Sequence, residues 1–573
     1  MLLWTAQVTA QDQPPEEEAW EGDAGIEEEA PPIVTEPEPE EGPEEPVVES
    51  STEDTEVEHD SKTATAEQEE KSEEEAPQEK EKSEDKPSEA ERWFGGDFMD
   101  TRVTFVFSDN NVLAGPKDSS PGVGADAPDN EFYENLQTEK TGYETETELV
   151  LYKRMPSYFH RLDAEAALVL ELQSWVDDQW QNEVRIGDNG SYLKLNFYTK
   201  RDDFEGDNIS LTMFPMDSQR FLLGYTYDIT WGGEKIFPNN SGQVPGARLK
   251  YDFNVKEDHQ GYVFAGFKTA NLYNGDISER QTYYGVLAGF GVGITRFLNW
   301  EMNGGYFQRG SFDRGSELDG QSIDAFGGST RLALHQGIPV KESVDFRLYK
   351  NTPEASTIIT DTQEYDGGIS WSLSGEFTTV AQTLLLFEDM DDSKMDPAKA
   401  AGVNGRFLWG NARFHADFIY RDLSYVLFNV PGFIPYVTTP RDADVVPEWF
   451  IALGVDYFFK IPRLTPGLVF AYKQPAMFSV DTDNGVVNVV VRDENDRETM
   501  PIGENAYDII AAKATLKWDV APFFAVVGEL RYTLDNNKTK YKRMEEETGL
   551  VREFDEKHVT NRLGFSFLAQ AKF

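Results

Sequence analysis

Apolar and polar residues alternate at period two through most of the chain beyond Trp93. In TRVTFVF the residues Val103, Phe105 and Phe107 share a face, and in TELVLYK so do Leu149 and Leu151. RLDAEAALVLELQ sets Leu162, Ala164, Ala166, Leu168, Leu170 and Leu172 against Asp163, Glu165 and Glu171. QRFLLGYTYDITW reads as a further strand, with Phe221, Leu223, Tyr225, Tyr227, Ile229 and Trp231 on one side and Arg220, Thr226, Asp228 and Thr230 on the other. The last run, NRLGFSFLAQAKF, alternates Leu563, Phe565, Phe567, Ala569, Ala571 and Phe573 with mostly polar residues. Clusters of Gly, Asn, Asp and Pro separate the runs. A period of two with one apolar face predicts strands, whereas a helix would carry these charges all round its cylinder.

The connections between strands differ in length. Long ones are expected at 535–560, 474–506, 422–446, 389–400, 351–365, 309–323, 270–281, 232–245 and 108–143. Short joints fall between them, at Val520 to Pro522, Ile461 to Leu464, Gly410-Asn411, Gln336 to Lys341, Lys256 to Gln260 and Pro215 to Ser218. Long loops on one side and tight turns on the other, with an even strand count, describe a closed antiparallel cylinder. The count reaches about 22, and about 18 if weak segments such as Gln181 to Gly187 are left out.

In these features the segment from Phe98 to Phe573 resembles the bacterial outer-membrane β-barrels of porin type. The resemblance implies an all-β, antiparallel transmembrane barrel of about 18–22 strands with both termini periplasmic. It also implies that Phe573 closes the last strand as the signal read by the insertion machinery. The partners it implies are the bilayer, lipopolysaccharide and that machinery. A cylinder without edges pairs every backbone group inside lipid, which an open sheet cannot do.

Composition sharpens this picture. No apolar stretch approaches the length of a spanning helix, which excludes a helical membrane protein. Cysteine is absent, as suits an envelope protein that avoids chance disulfides. Of the formal net charge of −52, about half lies in residues 11–92, which hold 33 acids against 6 bases. That Glu/Pro-rich stretch has too few apolar residues to offset ordering entropy and is expected as a disordered periplasmic tail. It is a spacer or an acidic arm for a basic envelope partner. Residues 1–10 read as the remnant of a signal peptide, and 93–573 as the barrel. The acidity disfavours nucleic acid.

With the aliphatic face toward lipid, the opposite face lines the interior. The inward residues expected to line a pore include Lys194, Arg220, Asp228, Lys250, Arg331, Arg347, Arg413, His415, Asp417, Lys517 and Arg531, with Asp252, Asp345 and Glu529 beside them. Both signs are present, as in a wet channel. Gly285, Gly289, Gly291 and Gly293 share one face, and Ala325, Gly327 and Ser329 form a second patch of small residues. Such a smooth wall suits an inward-folded loop, for which the apolar LSYVLFNVPGFIPYV within 422–446 is the expected candidate.

No enzyme motif emerges. The six histidines include no HExxH, a thiolate zinc site is impossible without cysteine, and neither GxxxxGK[ST] nor GxSxG occurs. Arg413, His415 and Asp417 project to one side without a nucleophilic serine. The expected function is a porin-like channel for passive diffusion of small hydrophilic solutes, without catalysis or cofactor. A structural or surface-interaction barrel of an envelope complex is the alternative. A plugged, energised uptake receptor is weaker, since the segment before the barrel cannot form a plug with its own core.

Overall fold

The computed structural model describes residues 100–572, except stretches within 114–146, 177–181, 201–205, 232–244, 275–278, 350–367, 429–436 and 556–560 and some shorter ones. Phe573, Asp228, Arg347 and the acidic segment lie outside the described residues.

Eighteen antiparallel strands close into a cylinder. They are β1 (Asp100–Asp109), β2 (Glu148–Phe159), β3 (Leu162–Val176), β4 (Tyr192–Tyr198), β5 (Asn208–Phe214) and β6 (Gly246–Phe253). Next come β7 (Gly261–Asn274), β8 (Glu279–Thr295), β9 (Leu298–Ser311), β10 (Ser322–Gln336), β11 (Ile369–Leu386) and β12 (Asp389–Trp409). The last are β13 (Ala412–Arg421), β14 (Glu448–Tyr457), β15 (Leu464–Gln474), β16 (Ile509–Ala521), β17 (Phe524–Leu534) and β18 (Asn561–Lys572). Each strand pairs with its sequence neighbours, and β18 closes on β1 from Arg102↔Lys572 to Asp109↔Phe565. The start of β1 and the end of β18 therefore meet at one rim.

The strand faces follow the sequence pattern. Along β13, Phe414 is exposed while Arg413, Asp417, Ile419 and Arg421 are buried. Along β8, Tyr284 and Val286 face out while Gly285, Leu287 and Gly291 face in. Tyr284, Trp449, Tyr472 and Tyr532 mark the outward face near one end, and Trp409, Tyr457, Phe459, Trp518 and Phe523 near the other. About eight residues of strand lie between the two girdles, a rise of about 26 Å along the strand and about 20 Å along the barrel axis at a tilt of about 40°.

Strand count settles at the lower end of the expected range: two expected strands are not strands, and Asn182–Asp188 is a short strand on β3 that is not counted among the eighteen. Residues 215–231 neither form a strand nor sit on a short joint. They leave the top of β5, on the rim opposite the termini, and fold into the barrel. Phe221, Leu222, Leu223, Ile229 and Trp231 are all buried there, so their alternation faces the interior and not lipid. Likewise Gln336 to Lys341 is not a turn leading to a strand. Residues 337–368 form a single connection from β10 to β11, and its described part, with a short 3-10 turn at Ser343–Asp345, is buried within the barrel.

Other expected loops are largely strand. Residues 389–400 belong to β12, which with β11 forms a hairpin of 18 and 21 residues turning at Phe387-Glu388. β7 to β10 likewise extend into 270–281 and 309–323. Tyr198, at the end of β4, points inward and donates to Asp163. The expected loop 474–506 holds most of a four-stranded sheet, made from Asp444–Val446, Ala476–Thr482, Gly485–Val491 and Arg497–Thr499. Residues 422–446 supply one strand of that sheet and a short helix α1 (Leu423–Phe428).

Candidate functional site: the barrel lumen

The interior is built from the polar face of every strand, and buried charges there are paired, as desolvation demands. Glu148 at the head of β2 accepts from Arg102 at 2.7 Å, Arg220 at 2.8 Å and Asn189 at 2.9 Å. Arg331 on β10 donates to Glu301 at 3.0 Å and lies 3.6 Å from Glu376. Across the barrel Arg413 bonds Asp456 at 2.6 and 2.8 Å, and Arg421 bonds Glu448 at 2.8 Å with Lys473 3.5 Å away. Arg531 donates to Ser566 at 2.7 Å.

Two inserts cross this lumen in opposite directions. The first, 215–231, starts between β5 and β6 and reaches the far wall. Trp231 N–H donates to Ser329 on β10 at 2.6 Å, and its indole lies where a Cβ on Gly327 would have to sit. It also packs on Phe307, with ring centroids 4.8 Å apart. Glu376 on β11 accepts from the Thr226 N–H at 3.0 Å and the Thr230 hydroxyl at 2.7 Å. Tyr425 of α1 donates to the Ile229 carbonyl at 2.6 Å, and Ile229 covers Gly402 on β12.

Of the expected loop 422–446, residues 429–436 lie outside the described residues, and Tyr425 braces a loop that does fold inward, 215–231. Its small-residue seat is Gly327 with Gly305. The inward glycines of β8 meet wall aromatics instead: Phe307 lies over Gly285, Phe264 over Gly289 and Tyr262 over Gly291.

The second insert enters from the termini rim. At Gly337 the chain turns with φ 77°, which glycine adopts freely, and crosses from β10 toward β2–β6. Asp345 receives Arg248 and takes Lys250 at 2.9 Å, with Lys194 3.7 Å away. Glu342 also pairs with Lys250. The Ser343 N–H donates to Glu301 at 3.1 Å. Tyr349 sits between Tyr152, at a centroid distance of 5.1 Å, and the Arg102 guanidinium, 4.9 Å from its ring centroid. Its carbonyl accepts from Tyr192. Arg248 is where the inserts converge: it donates to the Val344 carbonyl of the second and lies 5.6 Å from the ring centroid of Phe221 in the first.

The expected lining residues divide accordingly. Lys194, Lys250 and Arg331 lie on strands beneath the inserts, and Arg220 is part of the first insert. Arg413, His415, Asp417, Lys517 and Arg531 lie on β13, β16 and β17, apart from those contacts. Of Arg413, His415 and Asp417, Arg413 holds Asp456, the His415 ring covers Gly454, and Asp417 accepts from Asn404. Outside the membrane span, burial pushes the Asp422 carboxyl above its ordinary range, although it accepts the Tyr425 and Lys399 N–H groups that fix the start of α1.

Residues missed by the sequence reading are Glu148, Arg248, Glu301, Glu376 and Tyr349. Glu301 and Arg331 are direct cross-strand partners on β9 and β10, a pairing that requires the register to be known. Nothing in the sequence singles out Tyr349.

An apolar belt outside and paired charge inside define a transmembrane β-barrel of the outer-membrane, porin-like kind. No family model matches the chain, and no curated protein sequence matches it. Among solved structures the chain is similar to OpdQ of Pseudomonas aeruginosa, at 9% identity and TM-score 0.38 over 83% of this chain and 96% of that one. It is also similar to OccAB3 of Acinetobacter baumannii, at 8% identity and TM-score 0.39 over 83% and 98%. OmpT, an outer membrane protein of Vibrio cholerae, gives 8% identity and TM-score 0.32 over 83% and 96%. These likenesses are too distant to say anything of solutes or partners.

Proposed function

We propose that this chain is a channel of the Gram-negative outer membrane that admits small hydrophilic solutes by passive diffusion. The observation that carries the reading is an inward face charged in both signs inside a closed, lipid-facing cylinder. Both inserts touch the wall on β1–β12, so in this reading the wet path runs along β13–β18. Arg413, His415, Lys517 and Arg531 line it there, and Lys194, Lys250 and Arg331 set the field from the other wall. Selectivity comes from lumen charge and from narrowing by the inserts, with no cofactor or catalytic step.

In this reading the termini rim is periplasmic and the four-stranded sheet stands outside the cell near lipopolysaccharide. Residues 11–92 form an acidic periplasmic spacer within reach of a basic envelope partner, after a signal remnant at 1–10. Phe573 is the residue read by the insertion machinery. Planar-bilayer recording of the purified protein tests the channel: discrete current steps are expected, and a silent membrane at saturating protein would overturn it.

One observation favours a structural or surface-interaction barrel instead. The inserts join an apolar cluster that reaches from β2 to β16 inside the barrel, including Phe221, Trp231, Phe307, Tyr349 and Phe450. A solid interior suits an anchor better than a conduit, and the same recording separates the two.

A further inference from the structure

The connection from β10 to β11 is out of place on its rim. The other connections on the termini side are short, some of only two residues, such as Gly410-Asn411 between β12 and β13 and Arg296-Phe297 between β8 and β9, yet residues 337–368 intervene here. Outer-membrane barrels keep that side to short turns because nothing there needs to reach far. A long segment that leaves the rim and buries Ser343, Val344, Asp345, Leu348 and Tyr349 in the lumen calls for a reason.

We infer that residues 337–349 form an autoinhibitory plug, latched into the lumen by Glu342 and Asp345 on the cations Lys194, Arg248 and Lys250. This rests on the channel reading above. Three features of the site support a latch over a permanent strut. The lysines have carboxylates of their own on the wall: Lys194 lies 3.9 Å from Glu165, and Lys250 lies 2.7 Å from Asp252. Arg248 keeps the Thr212 hydroxyl at 3.3 Å and the Phe221 ring. The lysines therefore keep a carboxylate when the insert leaves, while Arg248 exchanges Asp345 for the water that enters the vacated space.

The insert's grip is polar at its front: beside the apolar contacts of Val344, Leu348 and Tyr349, which join the lumen's apolar cluster, it is held by ion pairs and hydrogen bonds to side chains of β4, β6, β7 and β9. Among the described residues no strand of the barrel pairs with it beyond the single bridge at Gly337↔Trp371. Leaving the lumen thus breaks no sheet ladder among them. Gly337, at the corner, sits in the left-handed backbone region, where the chain changes direction.

The geometry also says what the plug blocks. Asp345 draws together strands β4 and β6, while Ser343 is 3.3 Å from Tyr262 on β7 and bonds Glu301 on β9. Withdrawal uncovers the lumen wall from β2 to β9, the half that the channel path otherwise avoids.

The experiment uses the full-length protein with Ser343→Cys, the sole thiol in a chain without cysteine. It is labelled with a membrane-impermeant maleimide, with and without Glu342→Gln plus Asp345→Asn. Both substitutions preserve side-chain shape and remove only the latch charges. Labelling on the order of tenfold faster in the latch-broken protein is expected, since protection reports local opening. Larger single-channel conductance is expected with it. Equal labelling overturns the latch, and faster labelling at unchanged conductance overturns the inhibition. Silence of both proteins overturns the channel, whereas wild-type current that the substitutions do not raise overturns the plug alone. Should the double substitution prevent assembly, Glu342→Gln alone, at a partly exposed carboxylate, carries the same test, and an unchanged labelling rate there counts against the latch.

Discussion

The two inserts fill one lumen by opposite means. Residues 215–231 are held by burial: Phe221, Leu223 and Ile229 have no exposed surface and Trp231 has 1%. Residues 337–349 bury Val344, Leu348 and Tyr349 as well, but add charge, through Glu342 and Asp345 on three wall cations. Apolar burial is non-directional and scales with area, so the first insert can be detached only by exposing its whole face. An ion-pair seat in a charged wall has alternatives on both sides, because each partner can exchange one opposite charge for another. The same cylinder therefore carries one fixed partition and one exchangeable one, and they touch through Arg248.

The strongest way to break this contrast is at Trp231. Trp231→Ala removes the ring that fills the Gly305–Gly327 seat, and a buried Trp or Phe cut to Ala costs about 3–5 kcal/mol. We expect urea unfolding of the refolded barrel to shift by that amount, with hydrogen exchange speeding up across 215–231 and not across 337–349. Comparable loosening of both segments would show that they form one unit. Next in size is Glu376→Leu, which leaves the Thr226 N–H and the Thr230 hydroxyl without their acceptor and takes a neighbour from Arg331. Hydrogen bonds to a charged group are worth about 1.5–3 kcal/mol, and that range is the expected loss in the same unfolding measurement. An unchanged midpoint would mean that the apolar face alone fixes the first insert.

This contrast also explains what could be read in the sequence. The barrel, its closure through β18 and the inward face of strands such as β13 follow from period-two alternation, a local signal that survives without knowledge of neighbours. The segment 215–231 carries the same alternation, and it misleads because a partition that packs on an apolar patch inside a barrel needs apolar residues just as a lipid-facing wall does. Arg220 was expected inward and is inside, though on the insert and not on a strand. Residues 342–350 misled for another reason. Asp345 and its neighbours alternate like a lumen wall, and only the pairing of β10 directly with β11, Gln336↔Trp371, shows that no strand intervenes. Register between distant strands is not encoded in either strand alone. The glycine wall was legible as a place of close approach, but not which rings approach it.

The smallest test bears on the join between the first insert and the outer loops. Tyr425 sits in α1, whose first turn is capped by Asp422 accepting the Tyr425 N–H at 2.7 Å. The cap fixes the helix, and the helix aims the phenol at the Ile229 carbonyl, 2.6 Å away. Tyr425→Phe keeps the buried ring and deletes only the hydroxyl, so packing is unchanged and one acceptor deep in the lumen loses its donor. A net loss of about 1 kcal/mol is expected. The effect should appear as faster exchange at 229–231 with 215–223 unaffected, since Phe221 and its neighbours are seated on β5–β7 by ring contacts that the hydroxyl does not touch. If exchange rises evenly along 215–231, the insert moves as one rigid piece, and the loops of the rim opposite the termini then control the depth of the whole partition through a single hydrogen bond.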